Sequence, residues 1–172
     1  MNELIAFYKG EIVHPDDYTI DSVLAQNNYW LAVKHNYIQW LFPLSKASGA
    51  VPGSPIIGRR EAEMFRTDPE LKRKLMVAFL RMLKFYGFVF GLDIEKHAIV
   101  KKAEDFEERK VDWLTPQNHN YKRISRILES LTLLGLPEVA GMFFRALKDL
   151  YKEDSSQIGW TTFSYWEQAA KA

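Results

Sequence analysis

Apolar residues recur every three or four positions along most of the chain, which is the spacing of one face of an α-helix. The clearest helix is predicted from Asp68 to Tyr86, with Asp68 as N-cap and Pro69 at the first helical position. Gly87 can adopt the left-handed conformation that ends a helix. The apolar stripe of this helix comprises Leu71, Leu75, Phe79, Met82, Leu83 and Tyr86.

The sharpest separation of apolar and polar faces predicts a second helix from Asn120 to Leu134. Its apolar face contains Tyr121, Ile124, Ile127, Leu128, Leu131 and Leu134. Gly135 ends this helix and Pro137 begins the next, so the short connection predicts a helical hairpin.

Weaker patterns predict the remaining elements. A C-terminal helix is expected from an N-cap at Thr161 to Lys171, and a loop over Ser45–Ile57. Further helices are expected over Asn2–Lys9, Thr19–Gln26, Asn28–Leu41, Arg59–Arg66 and Glu104–Trp113. Alternation over Phe88–Leu92 and His97–Lys101 allows one short β-hairpin. The expected fold is all-α, one compact domain over residues 1–172 with about seven to eight helices.

Composition narrows the class of protein. The chain is 47% hydrophobic, and its 23 basic residues nearly balance its 22 acidic residues, which is typical of a globular protein rather than a generally basic one. It has no cysteine, which excludes disulfides and thiol chemistry and suits a reducing compartment. No run approaches the ~18 apolar residues of a membrane span. Residues 1–12 do not resemble a signal peptide. We therefore expect a soluble, cytoplasmic protein without an integral membrane segment.

Recognisable catalytic and cofactor motifs are missing from the sequence. The four histidines are His14, His35, His97 and His119, and none has a partner at the spacing of a metal site. There is no phosphate-binding glycine loop and no Gly-x-Ser-x-Gly nucleophile motif. The sequence therefore predicts no cofactor, no metal and no enzymatic activity, although an enzyme with a site assembled from distant residues stays an alternative.

Two segments combine polar and strongly apolar groups. His35–Leu44 contains Ile38, Trp40 and Phe42, too much apolar area for a surface turn, and it forms either a buried segment or the wall of a ligand groove. Asn118–Arg123 begins a helix, where either ordinary N-capping or anion binding is expected. A ligand site built from both segments would comprise His35, Tyr37, Gln39, Trp40, His119, Asn120 and Arg123.

A set of basic residues supports a different hypothesis. Arg73, Lys74, Arg81 and Lys84 fall within an arc of roughly 100° on a helix. They form either an ordinary charged outer face or an anion or nucleic-acid surface. The full set for the second interpretation is Arg73, Lys74, Arg81, Lys84, Lys122 and Arg126.

The same segments resemble the conserved domain of the opioid growth factor receptor family. Tyr37–Leu44 carries the most specific match, and Met82–Gly87 resembles the following block. The third block is similar over His119–Asn120 and Arg123–Ile124. Smaller matches are Phe7–Tyr8, Asp21, Val23–Leu24, Arg60–Glu61, Phe65, Arg126–Leu128, Ser130–Leu131 and Leu134–Leu136.

This resemblance implies signalling receptor activity, an association with the peptide met-enkephalin and a nuclear or nuclear-envelope location. It brings no catalytic residues. Our preferred interpretation is a non-enzymatic helical module that binds a peptide or protein segment in an aromatic groove. A nucleic-acid-associated module is the alternative, and the oligomeric state stays open.

Overall fold

A computed structural model describes residues 2–172. In order, the described elements are α1 Glu3–Lys9, α2 Ile20–Leu24, α3 Asn28–Val33, α4 Ile38–Leu41, α5 Arg59–Thr67, α6 Pro69–Tyr86, β1 Phe88–Leu92, β2 Ala98–Lys102, α7 Phe106–Arg109, a 3-10 turn Lys110–Asp112, α8 Asn120–Leu133, α9 Pro137–Ile158 and α10 Trp160–Ala170. The predictions of a helix-dominated fold and of one β-hairpin are confirmed. None of the described helices combines the length and apolar character required to cross a membrane.

The chain forms two compact units, and the division falls within α6, between Arg81 and Met82. In the first unit, Phe7 packs edge-on against Trp40 at 5.2 Å between ring centres, and Tyr8 packs against Phe65 at 4.8 Å. The Tyr8 hydroxyl donates to the Leu41 carbonyl. These contacts tie α1 to α4 and α5. The expectation of a single domain stays a prediction.

In the second unit, α8, α9 and α10 pack against one another, and β2 packs against α9. The strands are antiparallel, with Phe90 opposite Val100. Ile127 and Leu131 of α8 are fully buried, as are Leu147 of α9 and Trp166 of α10. This confirms the predicted apolar face of α8 and its hairpin with α9.

The predicted caps of α6 are also confirmed. The Asp68 carboxylate accepts from the backbone N–H of Glu70 at 2.9 Å, Pro69 is the first helical residue, and the helix ends at Tyr86. Gly87 follows with a φ of +82°. The C-terminal helix begins at Trp160 after Gly159, so the predicted N-cap at Thr161 is wrong by two residues.

The predicted helix Asn28–Leu41 is wrong in one respect, because it is interrupted between Val33 and Ile38. The Asn36 side chain donates to Asp16 at 2.6 Å and accepts from the Tyr18 hydroxyl at 2.8 Å. Lys34 has an extended backbone with a ψ of 134°. Tertiary hydrogen bonds from residues 16–18 thus hold a segment that helical periodicity alone would make continuous.

Candidate functional site

The first predicted site segment lies in the core of the first unit. The Tyr37 hydroxyl donates to the Leu31 carbonyl at 2.7 Å, and its ring lies 5.3 Å from that of Trp30. Trp40 is 5% exposed and contacts Phe7. His35, in contrast, is exposed. Tyr37 and Trp40 therefore stabilise this unit, as the buried-segment alternative predicts.

Gln39 differs from its neighbours because its buried amide is incompletely satisfied. The side chain is 4% exposed, and its Oε1 atom has no hydrogen-bond partner among the described residues. An unsatisfied buried acceptor costs about 1–3 kcal/mol. The place of Gln39 in a ligand site stays a prediction.

A histidine outside the predicted site is held in the first unit by hydrogen bonds and ring stacking. The Asp16 backbone N–H donates to His14 Nδ1 at 2.9 Å, so the ring proton resides on Nε2, 3.0 Å from the Asn36 carbonyl oxygen. The ring stacks on Tyr18 at 4.0 Å. Burial lowers the pKa of His14 below its ordinary value, although Asp16 partly opposes this shift. His14 is therefore a neutral structural group that positions Asn36.

The second predicted segment begins α8 in the second unit. The N-cap residue of α8, His119, forms no side-chain cap hydrogen bond, but the carboxamide oxygen of the preceding Asn118 accepts from the Asn120 backbone N–H at 2.9 Å. Asn120 is 1% exposed, and its side-chain oxygen accepts from the Tyr86 hydroxyl at 3.1 Å. Arg123 is also buried, whereas His119 is exposed. The proposed proximity of this segment to His35–Trp40 stays a prediction.

A cleft of about 300 Å³ lies beside this segment, entirely within the second unit. It is formed by the first two turns of α8 and of α10 and by the residues that precede α8. Its lining consists of Gln117, Asn118, Tyr121, Lys122, Ser125, Thr161, Thr162 and Tyr165. We call it the α8–α10 cleft. Its volume is at the lower end of the ~300–1,000 Å³ that is typical of ligand pockets.

Tyr121 holds the two helices of the cleft in position. Its carbonyl oxygen accepts from the Trp166 indole N–H at 3.0 Å, and its hydroxyl donates to the Gln157 carbonyl at 3.0 Å. Its ring packs edge-on against Trp166 at 5.6 Å. Burial, with Asp154 nearby, raises the pKa of Tyr121 to about 12. At neutral pH the Tyr121 hydroxyl therefore stays protonated and uncharged. It lines the cleft but cannot act as a base.

The electrostatics of the α8–α10 cleft favour an anion. Lys122 is exposed and carries the one charge among the described lining residues. α10 begins at Trp160 without a side-chain cap, so the backbone N–H groups of its first turn have no capping acceptor. The N-terminal ends of helices carry partial positive charge. The cleft thus combines one ammonium group, two helix starts and several hydroxyls.

The basic residues of α6 are largely engaged within the first unit. Arg73 forms two hydrogen bonds with Glu70, at 2.8 and 3.1 Å. Lys74 donates to the Tyr8 carbonyl at 2.6 Å, and Arg81 donates to the Gln26 carbonyl at 2.7 Å. A nucleic-acid phosphate would have to displace these partners.

The other residues of that hypothesis lie in the second unit. Lys84 and Lys122 are exposed. Arg126 is partly buried, and burial lowers the pKa of its guanidinium. Within residues 2–172, no group of three histidine or carboxylate side chains is arranged to hold a metal ion.

Sequence reasoning identified Asn118 and Lys122 but missed Ser125, Thr161, Thr162 and Tyr165. The α10 residues come about 40 positions after α8, and only packing brings them together. The one available signal was that threonine and tyrosine on α10 fall on the side opposite its buried Phe163.

The model of the opioid growth factor receptor conserved region matches residues 1–171. The opioid growth factor receptor of Mus musculus is 37% identical over 136 residues, which cover 77% of this chain and 21% of the relative. The human protein of the same name is 36% identical over 138 residues, covering 77% and 20%.

A second type of relative is also similar. The opioid growth factor receptor-like protein 1 of Mus musculus is 37% identical over 138 residues, covering 76% of this chain and 28% of the relative. The chain thus matches between 20% and 28% of the length of these relatives. No solved structure matches it.

Proposed function

Since this chain belongs to the opioid growth factor receptor family, we propose that it is a non-enzymatic module that binds the C-terminal end of a peptide in the α8–α10 cleft. The names of the relatives describe receptors for a growth factor, which motivates a peptide ligand. The observation that best supports this proposal is that Lys122 is the one charged residue lining a cleft at the starts of two helices.

The chemistry of the cleft suits a carboxylate attached to an apolar side chain. Lys122 and the uncapped first turn of α10 would contact the carboxylate, because both favour negative charge. The rings of Tyr121 and Tyr165 would contact the apolar side chain. The hydroxyls of Ser125, Thr161 and Thr162 would form hydrogen bonds with the peptide backbone.

The non-enzymatic part of the proposal rests on the lining groups. The Tyr121 phenol has a pKa of about 12, so it does not accept a proton at neutral pH. The hydroxyls of Ser125, Thr161 and Thr162 have no histidine or carboxylate beside them in the lining. Activation of a hydroxyl nucleophile requires such a base.

The proposal is tested by calorimetric titration with met-enkephalin, the peptide that the family resemblance implies, and with its C-terminal amide. The free acid should bind more tightly than the amide. Lys122→Ala should weaken binding of the acid by about 10- to 100-fold, the effect of losing a charge-assisted contact. Lys84→Ala, an exposed lysine outside the cleft, is the matched control.

Equal affinity for acid and amide would contradict the proposed carboxylate contact. Unchanged binding by Lys122→Ala and Tyr165→Ala would place the peptide elsewhere. The nucleic-acid alternative is tested with single-stranded oligonucleotides, because phosphate binding weakens steeply with salt. A cytoplasmic or nuclear location stays part of the proposal.

A further inference from the structure

Four aromatic rings gather where α10 packs against α9. Phe163 stacks on Tyr151 with 4.4 Å between ring centres and 11° between ring planes. Phe144 also stacks on Phe163, with 5.7 Å between ring centres and 27° between ring planes. Trp160 lies 6.0 Å from Phe163. We call this cluster, with the basic residues beside it, the aromatic face.

Trp160 is unusual because 67% of its surface is exposed. Tryptophan is highly buried on average, since its large ring gains much from leaving water. Phe163 is already buried, and Tyr151 and Phe144 are partly buried. Tryptophan is one of the residue types enriched in the binding hot spots of protein interfaces.

A basic stripe borders these rings on α9. With about 100° per residue, Phe144, Lys148 and Tyr151 fall within about 60° of one another on this helix. Arg145 and Lys148 are exposed, and neither forms an ion pair with a described residue. Lys152 lies 3.6 Å from Asp149, so the charges of these two residues offset each other. Arg145 and Lys148 therefore give the stripe a net positive charge.

We propose that the aromatic face docks an acidic, amphipathic segment of another protein. Its apolar side chains would cover Trp160 and the ring edges, and its carboxylates would meet Arg145 and Lys148. Charge complementarity selects this occupant. A two-fold contact between copies would bring the basic stripes of the two chains close together, which is unfavourable.

The ring geometry disfavours single-stranded nucleic acid on this face. Base stacking needs exposed ring faces. Phe163 stacks on Tyr151 and also on Phe144, so these three rings use part of their face area on one another. The most exposed ring of the cluster is the Trp160 indole, which suits aliphatic or aromatic side chains of a partner.

The aromatic face is separate from the α8–α10 cleft. Thr161, Thr162 and Tyr165 of α10 line the cleft, whereas Phe163 packs against Tyr151 of α9 and Trp160 contacts Phe163. The two surfaces therefore share a helix but no residue. Variants of one surface can be used as controls for the other.

The probe is a labelled synthetic helix of about 16 residues with leucine at positions i, i+3, i+4 and i+7 and glutamate elsewhere. Fluorescence anisotropy measures its binding, and tryptophan emission reports burial of the indole. We expect saturable binding with a blue shift of the emission. Trp160→Ala should weaken binding by about 30-fold or more, as at a hot spot.

Charge and position are tested separately. Lys148→Glu should weaken binding of the acidic probe, and the same probe with lysine for glutamate should not bind. Tyr29→Ala is the matched control, because Tyr29 is an exposed aromatic residue of the first unit. Tyr165→Ala should also bind normally, which separates this proposal from peptide binding in the cleft. Circular dichroism checks that each variant is folded.

Four results would overturn the proposal. They are the absence of saturable binding, parental affinity in Trp160→Ala, tighter binding of oligothymidine than of the acidic helix, and Trp160-dependent self-association on raising protein concentration.

Discussion

Replacing Gly87 with alanine should be among the most destabilising single-methyl additions in this chain. Gly87 joins α6 to β1 with a φ of +82°, which L-residues rarely adopt. An added Cβ would lie 2.9 Å from Arg109 Cβ and 3.0 Å from Phe106 Cα. Both distances are shorter than a normal carbon–carbon contact.

Neither neighbour can move aside easily. The Phe106 atom closest to the new methyl group is its Cα, which belongs to the backbone and cannot change rotamer. The Arg109 side chain donates from Nε to the Phe85 carbonyl at 3.0 Å, and its guanidinium lies 2.9 Å from the Asp112 carboxylate. The left-handed conformation costs alanine about 1–2 kcal/mol, and overpacking adds about 1–3 kcal/mol. The two terms give a loss of about 2–5 kcal/mol.

Gly10→Ala is the matched control. Gly10 has a φ of +77°, but nothing lies within 4 Å of its added Cβ. It therefore has the conformational cost of about 1–2 kcal/mol without the overlap. Guanidinium unfolding followed by circular dichroism gives both free energies. If the two variants lose the same stability, the close packing described around Gly87 is incorrect.

Three further predictions concern stability. Ile127→Asp should be severely destabilising, by more than about 4 kcal/mol in thermal or chemical unfolding, because Ile127 is fully buried; a parental melting temperature would show that this face is not core. Burial lowers the pKa of His14 below its ordinary 6.5, so the unfolded chain binds more protons and stability should fall as pH drops below about 6.5. The negative charge of Asp16 raises the pKa of His14, and the positive charge of Lys34 lowers it. His14→Phe should reduce the change of stability with pH, whereas His35→Gln, at an exposed histidine, should leave it as it is. If neither variant alters the change of stability with pH, His14 is not its source. Dialysis against a chelator should leave the melting temperature unchanged, since no described residue cluster can hold a metal, and a clear drop would reveal a missed site.

Strong local signals made much of the helical structure predictable. Asp68, Pro69 and Gly87 mark the ends of α6 through capping and backbone conformation, which depend on neighbouring residues alone. The apolar face of α8 was equally clear, and Ile124, Ile127 and Leu128 are all fully buried. These features required no knowledge of tertiary packing.

Features that depend on distant residues were not predictable. The break between α3 and α4 follows from hydrogen bonds of Asn36 with Asp16 and Tyr18. Lys74 and Arg81 resembled a free basic arc, but backbone carbonyls on other elements accept their hydrogen bonds. A helical wheel records the face of a residue and says nothing about the element packed against that face.

The same reasoning explains the partial success at the site. The polar start of α8 was visible in the sequence, and the cleft does lie beside Asn118 and Lys122. Its opposite wall, with Thr161 and Tyr165, depends on how α10 packs against α8. Tyr37 and Trp40 carried the most specific family resemblance, but their observed contacts are those of core residues. A specific sequence signature can therefore mark packing as readily as ligand contact.

The most direct test of the proposed function is a nuclear magnetic resonance titration of the isotope-labelled chain with met-enkephalin. Peptide binding in the α8–α10 cleft predicts saturable shifts of the backbone amide signals of Tyr121, Lys122, Thr161 and Tyr165. The C-terminal amide of the peptide should produce the same pattern only at higher concentration. Absence of saturable shifts, or shifts confined to residues outside the cleft, would contradict the proposal.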